Sequence, residues 1–167
     1  TSRHDQEWLD AFAGAASAMP EVVEFYRLSG DTDYLLKVLV KDIAAGSTSS
    51  TPTNLTNVSG RLFFAATDTT NGNELWTSDG TAAGTVMVAN IAPTTTSSSP
   101  ANLTAQGATL FFTANDSVNG IELWQSDGTT AGTSLVKDIT AGSANTAFGA
   151  FAVAGGRLFF VANDGSA

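Results

Sequence analysis

From Leu39 onward, short apolar runs alternate with clusters of Thr, Ser, Asn, Asp and Gly. That is the punctuation of β-strands and turns rather than of helices. Where it is clearest, the apolar runs are Met87 to Ile91, Ala101 to Ala105, Thr109 to Ala114 and Ile121 to Gln125. A Thr/Ser/Pro stretch, Gln106-Gly107 and Asn119-Gly120 separate them, and the whole predicts four strands. Asn71-Gly72 and Asn119-Gly120 suit a two-residue type I′ hairpin with both central residues at positive φ. The strand holding Leu-Phe-Phe is therefore expected to pair, in that register, with the strand holding Glu-Leu-Trp.

The pattern recurs at one spacing. Leu62-Phe63-Phe64, Leu110-Phe111-Phe112 and Leu158-Phe159-Phe160 lie 48 positions apart. The same shift carries Glu74-Leu75-Trp76 onto Glu122-Leu123-Trp124, Ser78-Asp79-Gly80-Thr81 onto Ser126-Asp127-Gly128-Thr129, and Gly84-Thr85 onto Gly132-Thr133. Leu39 to Ile43 returns as Met87 to Ile91 and again as Leu135 to Ile139. The units run over about 39–86, 87–134 and a truncated 135–167. A mainly β fold of tandem 48-residue, four-stranded repeats follows, shaped like propeller blades in an incomplete ring. A solenoid of stacked sheets is the competing architecture. Its core is expected at Leu62, Phe63, Phe64, Leu75, Trp76, Leu110, Phe111, Phe112, Leu123, Trp124, Leu158, Phe159 and Phe160. Terminal units present apolar faces, so the expected partners are neighbouring repeats of a longer chain or further copies of this one.

The first 43 positions are a different kind of sequence: they hold 12 of the 23 charged residues. From Asp5 to Met19, Trp8, Phe12, Ala16 and Met19 share one face at helical spacing, and Pro20 ends the run. Val22 to Leu28 and Tyr34 to Val40 read as strands joined across Ser29 to Asp33. Residues 1–43 thus form a short α+β segment, helix-strand-strand, ahead of the β-repeats of 44–167.

Charge and chemistry narrow the functions. A formal net charge of -9 argues against direct contact with nucleic acid, which requires clustered Lys and Arg. With no cysteine, disulfides and thiolate chemistry are excluded. No apolar run reaches the roughly 18 residues of a membrane helix. The sequence opens without a signal-peptide pattern and stops inside a repeat, so it reads as a piece of something longer. His4 is the only histidine, leaving no triad, and Asp79 and Asp127 stand a whole unit apart rather than as a catalytic carboxylate pair. No enzyme and no cofactor are expected. Asp68, Asn71, Asp116 and Asn119 are hard oxygen donors that would suit calcium, although the same residues are ordinary turn formers. Trp76 and Trp124 would suit either a sugar-stacking platform or core, and strand position favours core.

Two resemblances add to this. Glu74 to Thr85 (ELWTSDGTAAGT) and Glu122 to Thr133 (ELWQSDGTTAGT) resemble the bacterial repeat family named for the motif Glu-Leu-Trp-x-x-Asp-Gly-Thr-x-x-Gly-Thr. That resemblance implies an exported, extracellular or cell-surface β-repeat protein with a non-enzymatic binding or structural role. Pro20-Glu21-Val22 before a strand, and Gly30-Asp31-Thr32-Asp33-Tyr34 in the following turn, resemble the effector domain of the Lrp/AsnC transcriptional regulators. That implies about half of a ferredoxin-like domain, which oligomerises and binds small effectors, often amino acids. Carried over by position, it nominates Ser29, Gly30, Asp31 and Asp33. Because Leu39 to Ile43 fits both families, the chain is expected to be a chimera joined there. The exported repeat module is the leading expectation; the alternative is an effector-sensing, oligomerising fragment of a cytoplasmic regulator.

Overall fold

A computed structural model describes residues 22–27, 34–38, 43 and 49–165, and every regular element among them is a β-strand. The helix expected over Asp5 to Met19 lies outside the described residues. Strands β1 (Val22–Arg27) and β2 (Tyr34–Val38) form an antiparallel hairpin. Its register runs Arg27↔Tyr34, Tyr26↔Leu35, Phe25↔Leu36 and Glu24↔Lys37, with an irregularity between Val22 and Glu24.

Two four-stranded antiparallel sheets follow. The first holds β3 (Thr53–Val58), β4 (Arg61–Asp68), β5 (Gly72–Ser78) and β6 (Val86–Ala89) in that order. The second holds β7 (Ala101–Gln106), β8 (Thr109–Asn115), β9 (Ile121–Ser126) and β10 (Ser134–Lys137). Finally β11 (Ala147–Ala154) and β12 (Arg157–Asn163) pair as a hairpin. The fold is mainly β, and none of these sheets closes on itself.

The period is kept in the register. Phe64↔Trp76 becomes Phe112↔Trp124, Leu62↔Ser78 becomes Leu110↔Ser126, and both first strands carry an irregularity at the same place, Thr53/Thr56 and Ala101/Thr104. The Met87 to Ile91 run supplies β6, which pairs with β5 and completes the first sheet rather than opening the second. Periodicity alone does not say which strand starts a sheet.

The expected type I′ register is not what forms. Asp68 pairs with Gly72 across a three-residue loop, and of Asn71 and Gly72 only the glycine has positive φ, at +75°. The reason is the Asp68 carboxylate. It accepts a 2.8 Å hydrogen bond from the Thr70 amide, another from the Asn71 amide and a 2.7 Å bond from Asn71 Nδ2, which builds a wider turn than Asn-Gly alone encodes.

Sheets pack face to face and head to tail. The face of the first sheet that carries Phe63, Leu75 and Val88 shares a core with the opposite face of the second, which carries Leu110, Phe112 and Ala114. Phe64, Ala66 and Trp76, on the first sheet's other face, form a second cluster with Ile43 packed against it. This double cover explains why Phe63, Phe64, Ala65 and Ala66 are buried in succession, instead of alternating as in a sheet with one wet face. Each fully buried Phe or Leu contributes about 1.5–3 kcal/mol of transfer free energy.

Of the residues expected in the core, Phe63, Phe64, Leu75, Trp76, Leu110, Phe112 and Leu123 are buried, while Leu62, Phe111 and Trp124 are half-buried. The third copy differs. Leu158 is half-buried, and Phe159 and Phe160 are 55% and 37% exposed, because among the described residues no strand equivalent to β5 or β9 lies beside β12.

Candidate functional site

The most distinctive polar residues of the repeat are spent within one connection, the loop from β5 to β6. Asp79 Oδ1 accepts from the Thr81 amide at 2.9 Å and from Thr81 Oγ1 at 2.8 Å. Thr81 Oγ1 in turn accepts from the Gly84 amide at 2.9 Å, and Thr85 Oγ1 donates to the Thr81 carbonyl at 2.7 Å. A Cβ on Gly84 would stand 1.9 Å from the Asp79 carboxylate, so the position takes glycine. Asp127, Thr129, Gly132 and Thr133 repeat the arrangement. The hydrogen bonds from Thr81 and Thr129 hold Asp79 and Asp127 below the usual carboxylate range.

A second polar centre escaped the sequence reading. Glu74, fully buried, accepts hydrogen bonds from the amides of Ile91 (3.0 Å), Ala92 (3.3 Å) and Ser98 (3.1 Å) and from Ser98 Oγ (2.6 Å). It ties the segment between the two sheets to the strand it leaves. Glu122 does the same with the amides of Ile139 and Thr140 and with Thr146 Oγ1. Burial pushes the Glu74 carboxyl above its ordinary range, against the pull of these donors. The available signal was a hydroxyl residue 24 positions after each glutamate, Ser98 and Thr146.

The residues considered for calcium form two separate Asx turns. Asp116 accepts from the amides of Val118 (2.9 Å) and Asn119 (2.7 Å) and from Asn119 Nδ2 (2.6 Å), as Asp68 does with Thr70 and Asn71. Burial raises both aspartates, but the hydrogen bonds outweigh it and leave them below the ordinary range. Both asparagines turn their amide nitrogen, not their oxygen, toward the aspartate. Among the described residues, no three His, Cys, Asp or Glu converge as a metal-binding group. Trp76 is 8% exposed and packed in core, which leaves no open ring face there for a sugar.

The remaining candidate is the connection between β1 and β2. Arg27 and Tyr34, the last register pair, bracket it, and Ser29, Gly30, Asp31 and Asp33 fall in it, outside the described residues. Residues 1–48 match the family model of the Lrp/AsnC ligand binding domain. The segment is similar to a glutamate uptake regulatory protein of Zymomonas mobilis, with 54% identity over 43 residues, 26% of each chain. It is also similar to the DNA-binding transcriptional activator DecR of Escherichia coli, at 42% identity over 43 residues, 26% of this chain and 28% of that one. The HTH-type transcriptional regulator Zrp of Z. mobilis matches to the same extent. The chain spans about a quarter of the length of these curated relatives. No solved structure matches it.

These matches correct the leading expectation. The segment they recognise is the ligand-binding part of transcriptional regulators, so an exported, cell-surface β-repeat module is not the function they support.

Proposed function

We propose that the chain acts through its N-terminal segment, as an effector-sensing and oligomerising fragment of an Lrp/AsnC-type regulator, with a small amino acid as effector. The match of residues 1–48 to that ligand-binding domain carries the reading. The β1–β2 hairpin supports it, since Ser29, Gly30, Asp31 and Asp33 fall in the sequence between its two strands. The chemistry is complementary: amides at Ser29 and Gly30 suit an effector carboxylate, and the carboxylates of Asp31 and Asp33 suit its ammonium group. The role is non-catalytic and cytoplasmic. An acidic chain of net charge -9 leaves any DNA contact to other parts of the regulator.

In this reading the β-sheets are an appended scaffold, arranged as successive propeller-like blades. That arrangement is supported by the first strands, since β3 lies against β7 and β7 against β11. Side chains bridge the same line: Asn54 Nδ2 donates to the Pro100 carbonyl at 2.9 Å, and Ser59 Oγ donates to the Gly107 carbonyl at 3.2 Å.

Equilibrium dialysis of the chain against a panel of amino acids tests the proposal. Saturable uptake of one of them, weakened about tenfold or more (about 1.4 kcal/mol) by Asp31→Ala, is the expected outcome. Absence of uptake across the panel, or uptake indifferent to Asp31→Ala, would sink it.

A further inference from the structure

The two four-stranded sheets end their last strands alike. The register pair Leu75↔Ala89 recurs as Leu123↔Lys137, and the amides of Ile91 and Ile139 each reach the glutamate of their own sheet at 3.0 Å. The residue held between these fixed points is Asn90 in the first sheet and Asp138 in the second. Asn90 Nδ2 donates at 3.1 Å to Asn71 Oδ1, which ties the segment after β6 to the β4–β5 turn. Chemistry fixes the acceptor: the Asp68 carboxylate takes the Asn71 amide nitrogen and leaves its oxygen on the other side.

The second sheet keeps the acceptor and changes the donor. Asn119 Nδ2 donates to Asp116 Oδ2 at 2.6 Å, which again turns the amide oxygen away from the aspartate. An ionised Asp138 has no N–H or O–H to offer that oxygen. Its Oδ2 accepts from the Gly142 amide at 3.2 Å, while its Oδ1 is buried with no hydrogen-bond partner. A buried oxygen without a donor is destabilising, and a proton bound there supplies the missing O–H. The other charged groups on the second sheet and on the segment leading to β11 are Asp116 in the turn, Glu122 on β9, Asp127 in the β9–β10 loop and Lys137 at the end of β10. Asp116, Glu122 and Asp127 are each held by donors of their own.

We propose that Asp138 is a proton-operated latch. Ionised, it leaves the segment after β10 untied from the β8–β9 turn. Protonated, its hydroxyl donates to Asn119 Oδ1 and closes the joint that Asn90 keeps closed in the first sheet. The proton comes from solvent and no other covalent bond changes. The device is independent of effector binding by the β1–β2 connection.

Amide hydrogen exchange of the full chain, followed by NMR, tests the latch. Val118 and Asn119 are the reporters, and Thr70 and Asn71, in the turn that Asn90 holds, are the internal reference. At about pH 7, Asp138→Asn supplies a permanent N–H donor and should raise protection at Val118 and Asn119 about fivefold over wild type, the effect of about one hydrogen bond. As carboxylates protonate, between about pH 5 and 3, the wild type should close that gap. Asp138→Ala removes the unpaired oxygen without adding a donor, so it should show neither gain. Unchanged exchange at β8 would verify that both variants are folded. The proposal is overturned if Asp138→Asn protects the turn no better than wild type at neutral pH, if Asp138→Ala protects it as well as Asp138→Asn does, or if the gap persists in acid.

Discussion

Ser98 Oγ donates a 2.6 Å hydrogen bond to Glu74 Oε2, and 48 residues later Thr146 Oγ1 donates a bond of the same length to Glu122 Oε1. A buried carboxylate that accepts from several donors of the following segment is a joint: it fixes how one sheet hands the chain to the next. Removing it strands those donors in the core, which is more costly than the hydrogen bonds' net worth in water.

Glu74→Ala should therefore lower the free energy of unfolding by about 2–4 kcal/mol. Glu74→Gln should cost less, since it keeps two of the contacts while turning a donor toward donors. The pH dependence has a defined sign. Burial raises the Glu74 pKa in the folded state above its ordinary 4.5. Its contribution is then most favourable below that value and falls as pH rises through the raised one. Asp68, Asp79, Asp116 and Asp127 act oppositely: their folded values lie below 3.8, so their contribution is present above it and is lost on acidification. Because both proteins share the aspartates, the urea midpoint of wild type minus that of Glu74→Gln should fall as pH rises from 3 to 7.

Gly72 and Gly60 separate two roles of glycine. Both have positive φ, but a Cβ at Gly72 would lie 2.8 Å from Ser97 Oγ and 2.9 Å from the Thr95 carbonyl, while nothing lies within 4 Å at Gly60. Gly60→Ala should cost only the left-handed backbone penalty, about 1–2 kcal/mol. Gly72→Ala should exceed it by about 1 kcal/mol or more, measured by the same denaturation.

Two copies of one phenylalanine, Phe63 and Phe159, should respond differently. Phe63→Ala should cost about 3–5 kcal/mol as a cavity in a sealed core, whereas Phe159→Ala, at 55% exposure, should cost less than about 1 kcal/mol. Equal losses at both positions would show that Phe159 is covered in solution.

Calcium should leave the thermal midpoint unchanged. The oxygens of Asp68 and Asp116 already accept from three N–H groups of their own turns. A calcium-dependent rise in Tm, lost in Asp116→Asn, would restore the metal reading.

The sequence made the strands legible because apolar runs and the 48-residue period report burial directly, as at Phe64 and Phe112. It misled on the hairpin register, since Asn71-Gly72 announces a tight turn and only the geometry reveals Asp68 as the residue that widens it. Glu74 was hidden for a related reason: its partners Ile91, Ala92 and Ser98 are mostly backbone amides, and an amide has no identity in a sequence. Repetition also misdirected the functional reading. The repeats fill most of the chain, yet their polar motif, from Asp79 to Thr85, folds back on itself, and the segment matched to regulators, residues 1–48, lies mostly before them.

The central claim is that ligand sensing belongs to the N-terminal segment and not to the sheets. Amide chemical-shift mapping of the isotopically labelled chain, titrated with the amino acids of the dialysis panel, tests it most directly. The account predicts saturable shifts across Val22–Arg27, Tyr34–Val38 and the connection between them, with β3 to β12 unmoved. Shifts confined to the sheets, or none with any amino acid, would contradict it.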